Sequence, residues 1–74
     1  MKRHYYGVSS KYAYHKWEDV VYKFDSRAEA EKWLHSEEYD FCHRELITRT
    51  NAEKIIGRTA VREMPCGVGV RRAN

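Results

Sequence analysis

The clearest pattern of apolar and polar positions in the chain is a short alternation from Val20 to Phe24. In an extended chain, Val20, Tyr22 and Phe24 fall on one side, and Val21 and Lys23 fall on the other. A period of two residues is typical of a β-strand with one buried face. The sequence therefore predicts a strand in this part of the chain.

A capping box follows this strand and marks the start of a helix. The Ser26 hydroxyl can accept a hydrogen bond from the backbone N–H three residues on, while the Glu29 carboxylate can reach back to the N–H of Ser26. Apolar residues then recur at helical spacing, at Ala30, Trp33 and Leu34. We expect a first helix that begins at Ser26 and packs on the sheet mainly through Trp33.

The next part of the chain repeats this order in a shorter form. Residues 44–49 alternate charged with apolar side chains, as an exposed or edge strand does. A second capping box, with Thr50 as the cap and Glu53 as its partner, predicts a second helix of about two turns. Gly57 is expected to end that helix, because glycine readily adopts the backbone conformation that closes a helix.

The two ends of the chain are less regular. Residues 5–8 favour a strand that ends at a pair of serines, and residues 12–17 can extend either this strand or the next. Residues 59–64 are a candidate terminal strand. Residues 66–74 follow the only proline and are expected to form a loose basic segment.

These elements together predict an α+β fold in a single domain spanning residues 1–74. We expect a small antiparallel sheet of three or four strands with two helices packed on one face, in the order β-β-α-β-α. A chain of 74 residues has no room for a second domain and must build its small core from large side chains.

The net charge of +3 is unevenly distributed. Residues 58–74 hold four arginines and one glutamate, whereas residues 26–57 hold seven acidic and five basic residues. The two cysteines belong to no CxxC pair, so the spacing indicates no disulfide framework, and the expected location is a reducing cytoplasm. No run of 18 apolar residues and no secretory signal is present, so we expect no membrane association.

The sequence contains no recognisable catalytic constellation, phosphate-binding loop or metal-ligand spacing. Residues of zinc-binding types are present at His35, Cys42, His43 and Cys66, but no two have the spacing with which one turn presents two ligands. A domain of this size also has little room for a pocket that excludes water. We therefore expect no enzymatic activity, no cofactor and no metal.

Basic and aromatic residues are interleaved through the first 24 residues. Single-stranded nucleic acids bind such surfaces, because the rings stack on bases and the cations contact phosphates. The alternative is that half of the rings form the core and the rest make cross-strand pairs, as a small sheet requires. The C-terminal arginines likewise either clasp phosphates or an acidic protein surface, or simply keep the chain solvated.

Two stretches connect this chain to a known class of small proteins. Tyr5-Tyr6-Gly7-Val8 opens a sheet, and the run from Phe24 to Leu34 leads from a strand into a capped helix. In these stretches, its size and its mixed charge, the chain resembles small proteins of bacteriophages and other mobile elements, including the anti-CRISPR proteins. The resemblance implies a stoichiometric binder that blocks a larger host nucleoprotein machine.

We therefore expect a non-enzymatic protein that binds another protein, because exposed aromatic and arginine side chains supply most interface energy. The alternative is a small nucleic-acid-binding module that uses a basic and aromatic sheet face. The candidate partner-binding residues are Tyr12, Tyr14, Lys16, Trp17, Arg58, Arg62, Arg71 and Arg72.

Overall fold

The computed structural model describes residues 3–13, 15–36 and 42–72. Within these ranges the elements are β1 Tyr5–Ala13, β2 Lys16–Phe24, α1 Arg27–Leu34, β3 Cys42–Ile47, α2 Arg49–Ile56, α3 Arg58–Glu63 and β4 Val70–Arg71. The four strands form one sheet in the order β3-β1-β2-β4, and every neighbouring pair is antiparallel. The predicted α+β class and antiparallel sheet are confirmed.

The β1–β2 hairpin forms the centre of the sheet. The two strands pair over nine opposed positions, from Tyr5 opposite Phe24 to Ala13 opposite Lys16. His15, in the turn directly before β2, has φ 64°, the positive value that tight hairpin turns need. The sequence left open which strand residues 12–17 extend. β1 includes residues 12–13 and β2 includes residues 16–17, so both strands extend into this stretch.

Helices cover both faces of the sheet at one end of the hairpin. Tyr6, Val8 and Val21 share one face, where α2 and α3 pack against them. On the opposite face, α1 brings the Trp33 ring against the backbone of Gly7. The helices thus lie on two faces rather than on the one expected, because β2 carries apolar side chains on both of its sides.

The core under α2 and α3 is small. Its buried residues are Tyr6, Val8, Val21, Ala52, Val61 and Met64. Burial raises the pKa of the Tyr6 phenol above its usual value; the nearby Arg49 opposes this effect, whereas Glu53 and Cys66 add to it.

Trp33 organises the opposite face. Its ring centroid lies 5.2 Å from that of Tyr22 and 5.3 Å from that of Phe24. The Arg44 guanidinium lies over the same ring, 5.4 Å from its centroid, and donates hydrogen bonds to the carbonyls of Trp33 at 3.0 Å and Ser36 at 2.8 Å. Because the C-terminal carbonyls of a helix carry partial negative charge, Arg44 both covers the ring and stabilises the end of α1.

The first helix begins where the sequence predicted. The Ser26 hydroxyl accepts a hydrogen bond of 3.2 Å from the backbone N–H of Glu29. This bond satisfies one of the N–H groups that the first turn of a helix leaves without a partner. Ser26 is confirmed as the N-cap of α1.

The predicted start of the second helix is wrong by two residues. Thr48, not Thr50, is the N-cap, and its hydroxyl accepts a 3.2 Å hydrogen bond from the N–H of Asn51. Glu53, expected to complete a capping box, lies instead 3.5 Å from Arg49, one helical turn earlier. Because α2 begins at Arg49 rather than after Thr50, the helix is longer by part of a turn and includes the Arg49–Glu53 ion pair. Gly57 ends the helix as predicted, with φ 93°.

The candidate strand over residues 59–64 is a helix. Its two buried side chains, Val61 and Met64, are three residues apart, which is a helical spacing. The terminal strand is instead β4, where Arg71 lies opposite Val20 and Val70 lies opposite Val21. The prediction of a strand over residues 59–64 was wrong because so short a segment fits both the helical and the strand period.

The basic segment 66–74, expected to be loose, is attached to β2 within its described part. The N–H of Gly67 donates to the carbonyl of Lys23 at 2.8 Å, and the N–H of Arg72 donates to the carbonyl of Asp19 at 2.9 Å. Residues 73–74 lie outside the described residues. The segment therefore closes the sheet along the outer edge of β2.

The two caps give a direct test of where the helices begin. Ser26→Ala and Thr48→Ala should each lower the free energy of unfolding by about 1 kcal/mol, because each leaves a helix N–H without its partner. Thr50→Ala is the matched control and should leave stability unchanged or slightly raised, since alanine is the better helix former inside α2. Urea unfolding followed by circular dichroism measures all three. A larger loss from Thr50→Ala than from Thr48→Ala would contradict the assignment.

Gly7 gives a second test, of the packing of α1. A Cβ at Gly7 would clash with Cζ3 of Trp33, so Gly7→Ala should lower the free energy of unfolding by about 1–3 kcal/mol through overpacking. Ser9→Ala, at the next position on the same face of β1, is the control and should change stability by less than about 0.5 kcal/mol. Thermal melts of Gly7→Ala, Trp33→Leu and the double variant complete the test. Strict additivity of the two losses would show that the residues are not in contact.

Candidate partner-binding surface at the hairpin tip

The half of the β1–β2 hairpin nearest its turn carries the exposed side chains of the two strands. We call residues 10–13 and 15–19 the hairpin tip. The buried positions of both strands lie at the other end, at residues 6–8, 21 and 23–24, whereas residues 11, 12, 16 and 17 of the tip are exposed. The tip therefore presents side chains that the core does not use.

Tyr12 and Trp17 form an aromatic pair on the tip. They are directly opposite each other in the β1–β2 register, and their ring centroids are 5.4 Å apart with planes at 53°. Tyr12 is 55% exposed and Trp17 is 64% exposed. A cross-strand aromatic pair contributes only about 0.2–1 kcal/mol to a sheet, so stability alone does not account for this much exposed ring surface.

A polar network lies beside the aromatic pair on the same face of the hairpin. The Ser10 hydroxyl donates a 2.7 Å hydrogen bond to Asp19 Oδ1, and Arg72 Nη1 lies 3.4 Å from Asp19 Oδ2. Ser10 and Tyr12 are two residues apart on β1, and Asp19 and Trp17 are two residues apart on β2, so all four side chains lie on the same face. The network fixes the strands that carry the rings and places an arginine next to them.

The structure brings together some of the predicted partner-binding residues and separates others. Tyr12, Lys16 and Trp17 lie on the tip, and Arg72 joins them through Asp19. The remaining described residues of the set are exposed on other elements, Arg71 on β4 and Arg58 and Arg62 on α3. Tyr14 lies outside the described residues.

The other rings of the first 24 residues serve mainly the fold. Tyr6 is buried in the core, and Tyr22 and Phe24 pack on Trp33. Among the described residues, Tyr12 and Trp17 are the aromatic side chains with the largest exposed fractions. The interleaved pattern thus does not form one continuous aromatic platform across the sheet.

A second group of chemically reactive side chains lies at the opposite end of the hairpin. Cys66 Sγ lies 3.3 Å from Asp25 Oδ1, and His4 Nε2 lies 3.7 Å from the same oxygen. All three ligand atoms lie within 4.8 Å of one another. Sequence analysis missed this group because its members are far apart in the chain, although the antiparallel register that pairs Tyr5 with Phe24 also sets His4 opposite Asp25.

None of the helices in the described ranges has the length and apolar composition that crossing a bilayer requires. Comparison of the chain with protein-family models, curated proteins and solved structures finds no match.

Proposed function

We propose that this chain is a non-enzymatic protein that binds another protein through the hairpin tip, with Tyr12 and Trp17 as its principal contacts. The observation that carries the proposal is the pair of adjacent rings near the turn of the hairpin, 55% and 64% exposed. Tyrosine and tryptophan are the residues most enriched among those that dominate interface energies, because they bury a large area with few rotatable bonds.

The rigidity of the tip supports the same proposal. A surface that is ordered before binding loses less conformational entropy on association than a flexible one does. The rings stand on two strands held in ladder pairing, and the Asp19 side chain links Ser10 and Arg72 beside them. The free protein therefore already holds its contact residues in one arrangement.

The charges of the tip favour a protein partner over nucleic acid. Lys11 and Lys16 are opposed by Glu18 and Asp19 on the same two strands, so the tip is close to neutral. Arg72 is the nearest further cation, and it is paired with Asp19. A surface that follows a phosphate backbone needs an excess of positive charge, which this one lacks.

The kind of partner is proposed from the resemblance to mobile-element proteins. A bacteriophage or mobile-element inhibitor of the anti-CRISPR type, acting in the host cytoplasm, would use such a surface to block a host nucleoprotein machine without catalysis. An inhibitor that acts by occupying a surface depends on the affinity of the tip rather than on a chemical step.

Substitutions at the tip test the proposal. Trp17→Ser and Tyr12→Ser should each lower the affinity for the captured partner at least about 30-fold, the equivalent of about 2 kcal/mol for a dominant interface residue. Val68→Ser is the matched control, because Val68 is also an exposed apolar residue, at 52%, and lies outside the tip. The measurement is capture of host proteins on the immobilised chain, with the affinity of each captured protein determined for all variants.

Thermal melts of the same variants separate binding from folding. The tip substitutions should leave the melting temperature within a few degrees of the unsubstituted chain, since a cross-strand pair contributes little stability. Two results would refute the role of the tip. One is an affinity that falls as much with Val68→Ser as with the tip substitutions, and the other is an affinity that does not fall with Trp17→Ser.

A nucleic-acid-binding module remains the second candidate, and the observation in its favour is that the exposed Lys11 and Lys16 are sequence neighbours of Tyr12 and Trp17, on the other face of the tip. Our proposal predicts that single-stranded oligonucleotides of mixed sequence give no mobility shift even at low salt. A shift at 50 mM salt that disappears at about 200 mM, and that Lys11→Gln with Lys16→Gln abolishes, would replace the protein-binding proposal with the nucleic-acid one.

A further inference from the structure

We propose that His4, Asp25 and Cys66 form a binding site for a single Zn²⁺ ion. The site lies at the end of the hairpin opposite the tip, beside the start of β1 and the end of β2. Eight residue positions at about 3.3 Å each separate His4 from Tyr12 along β1 and Asp25 from Trp17 along β2, so the proposed metal site and the proposed partner surface are independent of each other.

The fold brings the three donors together from three separate segments. The β1–β2 register places His4 opposite Asp25, one position beyond the last ladder pair. The loop after α3 returns to the same place because the N–H of Gly67 donates a 2.8 Å hydrogen bond to the carbonyl of Lys23. Cys66, directly before Gly67, is thereby held next to Asp25.

The distances agree with tetrahedral coordination. With a Zn–S bond of about 2.3 Å and Zn–N and Zn–O bonds of about 2.0 Å, the edges of the tetrahedron are about 3.5 Å for S···O and about 3.3 Å for N···O. The corresponding separations are 3.3 Å from Cys66 Sγ to Asp25 Oδ1 and 3.7 Å from His4 Nε2 to Asp25 Oδ1. The third edge, at most 4.8 Å, needs to shorten by no more than about 1.3 Å, which side-chain rotation can supply.

The donor set selects the metal. An imidazole nitrogen, a thiolate sulfur and a carboxylate oxygen are the three ligand types of zinc sites, whereas Mg²⁺ and Ca²⁺ prefer oxygen alone. In the structure the Cys66 thiol donates to Asp25 Oδ1. On binding, this thiol proton leaves for solvent, and both the thiolate and the carboxylate then bind the cation.

The site is open on one side. The His4 side chain is 33% exposed and the Asp25 side chain is 60% exposed, so an ion can enter from solvent. A groove beside α1 runs up to Asp25 and Cys66 and is lined on its other side by Glu29 and Lys32. Three protein ligands leave the fourth tetrahedral position to water, the arrangement of an open zinc site rather than a closed structural one.

Occupancy would tie the loop after α3 to the end of the hairpin that carries His4 and Asp25. One ion would join the residue before β1, the residue after β2 and the loop between α3 and β4. A ligand that binds only the folded chain stabilises it by mass action. Zinc should therefore raise the melting temperature, and the rise should depend on each of the three donors.

Titration of the untagged, reduced protein with Zn²⁺ tests the site. Calorimetry should give one ion per chain, and Cys66→Ser and His4→Gln should each weaken binding at least about tenfold. Cys42→Ser and His43→Gln remove the same residue types elsewhere and are the matched controls, which should bind as the unsubstituted chain does. Saturating Zn²⁺ should raise the melting temperature of the unsubstituted chain by at least about 5 °C and that of Cys66→Ser by much less.

Substitution with Co²⁺ identifies the ligands directly. The complex should show thiolate-to-cobalt charge-transfer absorption together with the strong visible bands of a four-coordinate ion, and Cys66→Ser should abolish the charge-transfer bands while Cys42→Ser retains them. If Cys66→Ser melts far below the unsubstituted chain without metal, His4→Gln and Asp25→Asn carry the test. The proposal would be overturned if the unsubstituted chain bound no metal, or if Cys66→Ser and His4→Gln left binding unchanged. Loss of binding in Cys42→Ser equal to that in Cys66→Ser would also overturn it.

Discussion

The register of the β1–β2 hairpin is the constraint on which the rest of the molecule depends. The same ladder sets Val8 against Val21 in the core, Tyr12 against Trp17 at the tip, and His4 against Asp25 just beyond its other end. Because successive side chains alternate between faces, a shift of one residue would exchange all of these positions between the two sides of the sheet. The positions of the core residues, of the hairpin tip and of the His4–Asp25 pair are therefore determined by one register.

Cationic side chains connect the sheet to the ends of its helices. Arg44, on β3, donates to the C-terminal carbonyls of α1, and Lys23, on β2, has its Nζ 3.4 Å from the Val61 carbonyl in α3. These contacts give further hydrogen bonds to backbone carbonyls at or just beyond the helix C-termini, where the helix itself supplies few donors. In a chain that can bury little apolar surface, such contacts position the helices without requiring a larger core.

Sequence reasoning succeeded where the signal was local and failed where two local signals competed. Ser26 is the one serine before α1 that has a glutamate three positions on to complete a capping box, and it was identified. Thr48 and Thr50 both satisfy the rule for a helix start, and the choice between them depends on the pairing of Arg49 with Glu53 and on packing against the sheet. The faces of the sheet were ambiguous for a related reason, since β2 is apolar on both sides and no single strand reveals which helix covers which side.

The two candidate sites differ in how much of each can be read from a single segment of the sequence. The exposed Tyr12 and Trp17 were among the predicted partner-binding residues, because a strand pattern with more rings than a small core can bury leaves some on the surface. The grouping of His4, Asp25 and Cys66 depends on contacts between positions more than 20 residues apart, together with the return of the chain after α3. Residue spacing within one segment carries no information about such a group.

The pairing of β4 with β2 has a consequence for how the chain folds. Val61, Met64 and Val70 complete a core whose first members, Tyr6 and Val8, lie more than 50 residues earlier. Contacts this distant in sequence must overcome the entropy of closing a long loop before they contribute any stability. During synthesis the hairpin therefore emerges from the ribosome well before the residues that bury it, and the native state forms as one cooperative unit only after residues 61–72 have followed.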